Sequence, residues 1–381
     1  MFEIFFPSAT PKSAPSKTAH ASKLGAAFVG LSLLAAPAAV TVLAVSPVLA
    51  QETLTPAQKV ERIFSQYKKM GGKLSYGDIT EENGVLTAKD LKIEMKLPVK
   101  DPKNPKGNKV MKTFLLTLDE MTIRRYDYKN PELPMYSDGE VKGMRFDGEL
   151  VNNKEMSQFM AAAGLKELVL DGKFKYDANI KTGTVTLDTY SITVRDVMSF
   201  GLSGKIDKID FSKFPKDLIR PGFGLPGQKN DGLKKVKNPG ELMMAAFGQS
   251  RLHGLSIRLT DLGGVERGMK FAAEEQSKKN PKGPKMTAAL MRAQVKGMLG
   301  FANQKLTGAF AASLIEAVGK LVSGPGTLSV TAKPNKPVQF VSLFGFAMMT
   351  AASAQKPGQK LNLDPVQGFL GLKATFTPAV Q

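Results

Sequence analysis

The chain of 381 residues has no cysteine, no tryptophan and only two histidines, His20 and His253. Without cysteine there is no disulfide framework, thiolate zinc site, cysteine nucleophile or lipoprotein anchor. Two histidines leave little room for histidine chemistry. No G-x-S-x-G elbow, P-loop, H-E-x-x-H or dinucleotide fingerprint occurs. The missing tryptophan also weakens any case for a sugar-stacking platform. What remains is a globular composition, 42% hydrophobic and 23% charged, with 53 Lys+Arg against 34 Asp+Glu for a net charge of +19. That excess suggests an anionic partner.

The first fifty residues read as an export signal. Lys12, Lys17 and Lys23 outweigh Glu3, and Leu24 to Val45 is an uncharged Ala/Leu/Val run. Val48-Leu49-Ala50 then satisfies the small-residue rule for signal-peptidase cleavage before Gln51. The competing reading is an uncleaved anchor, since about twenty apolar residues can span a bilayer. Pro37 inside the run and the terminal cleavage site favour removal. The remaining chain carries +17 and only His253. Export makes nucleic acid an unsuitable target and leaves anionic membrane lipid, lipopolysaccharide phosphates and acidic polysaccharides.

Periodicity predicts the elements. Thr55-Pro56 is an N-cap with proline at N1, followed by Val60, Ile63, Phe64 and Tyr67 at helical spacing until Gly71-Gly72. The period then becomes two. Leu91, Ile93, Met95 and Leu97 alternate with charged residues, and Phe114, Leu116 and Leu118 repeat the pattern. Met121–Ile123 and Val141–Leu150 are weaker strands. A short helix is predicted at Lys154–Ala163, then strands through Leu168/Leu170, Phe174/Tyr176, Val185/Leu187 and Ile192/Val194, with turns at Asp171-Gly172 and Lys181–Gly183. Residues 211–240 read as a long loop, Asn238-Pro239 as the start of a short helix through Phe247, and His253–Asp261 as one more strand. Helices follow at Val265–Ser277, Met291–Leu306, Phe310–Val322 and Phe340–Ala352, with strands at Leu328–Ala332 and Leu372–Phe376. Strands followed by helices predict an α+β fold: an extended, curved antiparallel sheet with an N-terminal helix and a helical C-terminal region packing on it. The expected divisions are a signal peptide at 1–50, a β-rich region at 51–262 and a mainly helical region at 263–381. Gly84 and Gly183 each precede an isoleucine (Ile93, Ile192) by nine residues, with Thr87 and Thr186 matching between them. Gly248 and Ile257 share only the spacing. The match is either a duplicated strand pair or chance.

No catalytic, cofactor-binding or metal-binding residues are assigned. His253 reads as structural, and the adjacent carboxylates Asp119-Glu120 and Glu274-Glu275 as solvated rather than as a glycosidase pair. Three lysine-rich stretches are candidate contacts with an anionic surface: Lys100, Lys103, Lys106, Lys109 and Lys112; Lys234, Lys235 and Lys237, beside Lys229; and Lys278, Lys279, Lys282 and Lys285. All three are predicted to lie between elements, where each lysine near an anionic membrane adds about 1 kcal/mol. The bland reading is a solubilising surface. Eighteen methionines suit an ordinary core or an adaptable lipid-holding groove.

Three segments carry a resemblance: KLSYGDITEENGVLTAKDLKIEM (Lys73–Met95), RRYDYKNPELP (Arg124–Pro134) and KFKYDANIKTGTVTLDTYSITV (Lys173–Val194). With LTDLGGVERGMKFAAEEQ (Leu259–Gln276) and GPGTLSVTAKPNKPV (Gly324–Val338), the chain resembles exported β-rich envelope proteins of Gram-negative bacteria, the YdgA-like and AsmA-like group. The resemblance implies a periplasmic location and an antiparallel sheet with an apolar face associated with envelope lipid homeostasis. It transfers no functional residue. The expectation is a non-catalytic periplasmic protein that binds lipid or a membrane-associated envelope protein through an apolar sheet face, with basic loops at the membrane surface. The alternatives are an envelope hydrolase acting on glycan or ester, or a structural adaptor without a small ligand.

Overall fold

A computed structural model describes residues 54–69, 71–100, 109–131, 134–147, 157–158, 160–161, 164–213, 245–343, 345 and 360–379. The predicted export signal at 1–50, Lys103, Lys106, Lys229, Lys234, Lys235, Lys237 and most of the 211–240 loop lie outside these residues. So do parts of the predicted helices at Lys154–Ala163, Asn238–Phe247 and Phe340–Ala352.

The chain enters through Pro56–Ile63 (α1) and Ser65–Lys69 (α2). Thr55 and Gln58 form a reciprocal capping box, and Pro56 occupies the first turn as the sequence predicts. Two short strands, Lys73–Ser75 (β1) and Ile79–Glu82 (β2), both pair with the long Val85–Lys100 (β3). The β2–β3 hairpin turns on Asn83 and Gly84, both at positive φ, which the Asn-Gly dipeptide accommodates without strain.

From β3 the sheet grows by nearest-neighbour antiparallel addition. Lys109–Tyr126 (β4), Tyr136–Asp147 (β5), Val169–Asn179 (β6), Thr184–Val194 (β7), Met198–Asp207 (β8) and Arg251–Asp261 (β9) follow in order. Gly264–Lys279 (α3), Ala288–Lys305 (α4) and Ala309–Ser323 (α5) come next. Gly326–Ala332 (β11) and Leu372–Pro378 (β14) then extend the same sheet beyond β9, and Asp364–Leu370 (α6) precedes β14. Leu306–Thr307 (β10) pairs with Leu361–Asn362 (β13), and Val338–Gln339 (β12) adds to the end of β9. Among the described residues this is one twelve-stranded antiparallel sheet with helices at both ends, the predicted α+β class.

Several predicted boundaries differ. Asp171-Gly172 is strand, not turn: Gly172 lies in β6, where an added Cβ would press within 3.0 Å of Val141 Cγ2. β8 went unpredicted because Gly201, Gly204 and serines interrupt Phe200, Leu202 and Ile206. A Cβ on Gly204 would come within 2.8 Å of the Gly254 carbonyl, so close backbone approach requires that glycine.

Bulges explain where the period of two breaks. Core-facing positions skip from Ala88 to Leu91 in β3, from Leu118 to Met121 in β4 and from the partly buried Val141 to Met144 in β5. Because β3, β4 and β5 each carry the irregularity side by side, their pairing register runs unbroken across it, and β4 and β5 shift register only further on, between Ile123 and Arg125. Asp90 and Gly143 adopt positive φ along this line. β6 lacks the extra residue, and the register shifts there, between Val141 and Met144. A second irregularity lies at Asp188–Thr189 of β7. The Gly84–Ile93 and Gly183–Ile192 segments thus share a positive-φ glycine, a mid-strand interruption and a buried terminal isoleucine.

The main core lies where α1 meets the first strands. Val60 and Phe64 pack with Leu86, Ala88, Leu91, Ile93 and Met95 of β3 and with Phe114, Leu116, Leu118, Met121 and Ile123 of β4. At the other end α5 packs on β14 and β11, burying Phe310, Ala317 and Leu321 together with Ala332 and Ala374.

Candidate functional site

The register aligns the apolar residues of every long strand on one face of the sheet. Ile93 opposes Leu116, and Leu116 opposes Phe146; Phe174 opposes Tyr190, which opposes Leu202; Leu202 opposes Ile257, which opposes Val330, which opposes Ala374. The other face is mainly polar, with Met111, Leu115 and Val169 as apolar exceptions.

Coverage of that apolar face changes along the sheet. In β3, buried Leu91, Ile93 and Met95 alternate with more accessible Lys92, Glu94 and Lys96, as expected of a strand with one covered face. In β8 that alternation vanishes. Phe200 and Leu202 are as partly exposed as Ser199, Gly201 and Ser203 on the polar face. Leu255, Ile257 and Leu259 in β9, Leu328 and Val330 in β11, and Val185 and Leu187 in β7 are likewise partly exposed. Tyr190 stands at the boundary: its ring packs against the main core, and burial pushes its phenol up to about 12. Among the described residues an apolar trough therefore runs across β7, β8, β9 and β11, between the core under α1 and the layer under α5.

The polar face carries an ion-pair lattice. Lys142 pairs with Glu120, Arg145 with Asp119 and Glu167, Arg124 with Asp138 and Glu140, and Arg195 holds Asp171 through two nitrogens. The Arg195 bonds, joined by the Gly143 N–H, hold the Asp171 carboxyl below its ordinary value. Such exposed pairs contribute little individually and serve mainly to keep this face in water.

At the open end of β8 and β9, Arg251 grips Asp207 through Nε (2.8 Å) and a second nitrogen. His253 occupies a bulge in β9 with its Nε2 2.9 Å from Asp207 Oδ2. The Arg251 hydrogen bonds, aided by His253, hold Asp207 well below the usual carboxylate range. His253, the only histidine beyond residue 50, is thus tied to a strand-end ion pair. Asp119 and Glu120 are engaged by different cations, and Glu275 meets Lys278. Among the described residues no three His, Asp or Glu side chains form a group that could hold a metal ion.

Of the lysine stretches, the first departs from its predicted setting. Lys100, Lys109 and Lys112 lie within strands: Lys100 opposes Lys109, and Lys112 opposes Leu97, because the β3–β4 hairpin extends past Leu97. Pro98 is tolerated there because β1 pairs β3 only through Lys92–Glu94, leaving the Pro98 stretch as an edge. Lys278 and Lys279 end α3, and Lys282 and Lys285 follow in the turn to α4; all four are exposed. The structure does not bring this cluster together with the hairpin lysines into one described patch.

A family model described as "Uncharacterized protein" matches residues 191–365, from the end of β7 through the start of α6. No curated protein matches the chain.

Proposed function

We propose that the protein is a non-catalytic component of the Gram-negative cell envelope, exported to the periplasm, that holds the apolar part of a lipid on the open stretch of its sheet. The observation that supports this most is the partly exposed apolar trough around Phe200, Leu202, Leu255 and Ile257, continuous with a fully buried core on the same face. A strand that keeps its apolar alternation while losing its cover offers an acyl chain an existing groove, each buried methylene contributing about 0.8 kcal/mol. The +17 charge beyond residue 50 suits anionic headgroups, as in membrane lipid or lipopolysaccharide. The leader-like residues 1–50 support the export.

Titration of the purified chain with a fluorescent fatty-acid analogue tests the reading. Saturable binding is expected, weakened at least tenfold by Leu202→Asp, which sets a charge in the trough without touching the α1 core. Absence of saturable binding, or equal binding by the variant, would overturn it.

A further inference from the structure

From Gln276 to Ile315 the sequence holds seven lysines and arginines and no carboxylate. This stretch contains the turn after α3, all of α4 and the start of α5. α4 differs from its neighbours in burying no residue, although it is eighteen residues long. Leu290, Met298 and Phe301 are 48%, 44% and 61% exposed, and their spacing of eight and three places them on one side of the helix. Gly297 and Gly300 have nothing within 4 Å of where a Cβ would stand, so this side is open among the described residues. The opposite side is anchored: Arg292 is hydrogen-bonded to the Val322 carbonyl (3.0 Å) and to Glu266 of α3. Arg292 is therefore spent inside the protein and Lys296, one turn on, shares its side of the helix, while exposed Lys305 lies on the stripe's side with its Nζ 5.6 Å from the Phe301 ring centre. At the helix's entry stand the exposed Lys278, Lys279, Lys282 and Lys285; Glu275, the nearest acid before them in sequence, meets Lys278.

We infer that α4 is a membrane-docking helix, lying in the headgroup plane of an anionic bilayer with Leu290, Met298 and Phe301 inserted and the flanking lysines on lipid phosphates. No described helix is long and apolar enough to cross a membrane, so the contact is along the surface. An exposed apolar stripe whose charged neighbours along the chain are all cations suits a layer of anionic headgroups. A protein surface would present charges of both signs, and this segment offers no carboxylate to meet a basic side chain. The inference rests on the reading of the chain as an envelope protein, and it concerns a different surface from the sheet trough.

The absence of tryptophan supplies a clean probe. In the full chain, Phe301→Trp places a single indole on the stripe, and Thr375→Trp places one on the exposed polar face of β14. With vesicles of phosphatidylglycerol and phosphatidylethanolamine, the Phe301→Trp emission is expected to shift to the blue and the Thr375→Trp emission to stay unchanged. Vesicles of phosphatidylcholine alone should produce a much smaller shift in either variant. Gly297→Leu in the Phe301→Trp background, adding an apolar side chain to open space, should tighten the response roughly tenfold. No blue shift of the Phe301→Trp variant on anionic vesicles, with fatty-acid binding intact, would overturn the docking helix and leave the trough standing. Loss of fatty-acid binding with that shift preserved would overturn the trough and leave the helix.

Discussion

The two halves of the sheet carry the same pattern to different ends. In β3 and β4 the apolar alternation is sealed by α1 and becomes core; in β8 and β9 it continues on the same face in the same register and is left partly open. Leu91, Ile93 and Met95 are each 1% exposed, whereas Phe200, Leu202 and Ile257 are partly exposed. Alternation in a strand states which face avoids water, and only the packing of other elements decides whether that face becomes interior or binding surface.

The sharpest way to break this comparison is a matched pair of truncations. Ile93→Ala should cost about 3–4 kcal/mol, because it empties a fully packed site under α1. Ile257→Ala, at the equivalent position of the open half, should cost about 1 kcal/mol. Denaturant midpoints of the two variants measure the difference, and equal losses would mean that both halves are covered alike.

A smaller effect concerns the bulge line that bends the covered half. Gly143 sits at φ +63, and a Cβ there would fall onto the Asp119 carboxylate. Gly143→Ala should therefore cost about 2 kcal/mol, combining an unfavourable backbone conformation with the displaced Asp119–Arg145 pair. Gly201→Ala, in the open half at ordinary φ and 3.5 Å from Arg258 Cβ, should be nearly neutral in thermal melts.

The smallest expected effect is a pH dependence at the end of the open half. Asp207 has a native pKa depressed by Arg251 and His253. A depressed carboxylate stabilises the fold in full above its unfolded value, about 3.9, and loses that contribution as the pH falls towards the native value. Asp207→Asn should thus lower stability at neutral pH, and the gap to the unchanged protein should close progressively below about pH 4. A gap that persisted at the acid end would show that the pair is not what Asp207 contributes.

Much of the architecture was legible in the sequence. The capping box at Thr55, the period of two in β3, β4 and β9, and the helices α3, α4 and α5 follow from local patterns that the structure bears out. Less legible was whatever depends on neighbours. β8 was hidden by its glycines and serines, of which Gly204 is required by the adjacent Gly254 carbonyl, and Asp171-Gly172 imitates a turn while serving as a salt-bridge partner and a close packing point in β6. The continuation of β3 and β4 through Lys100 and Lys109 was obscured by lysines and Pro98, which are admissible at an edge. Of the candidate surfaces, the apolar face was visible as alternation, but its loss of cover beyond β7 could not be, since cover is a tertiary property. The exposed stripe of α4 has the spacing of an ordinary core helix and is set apart only by what fails to pack on it.

The measurement that bears most directly on the open half is native mass spectrometry of the protein purified from the cells that naturally make it. A bound lipid should appear as added mass on the unchanged chain and be missing from a Leu202→Asp, Ile257→Asp variant that still folds. A chain that carries no lipid, or a variant that retains it in full, would contradict the account.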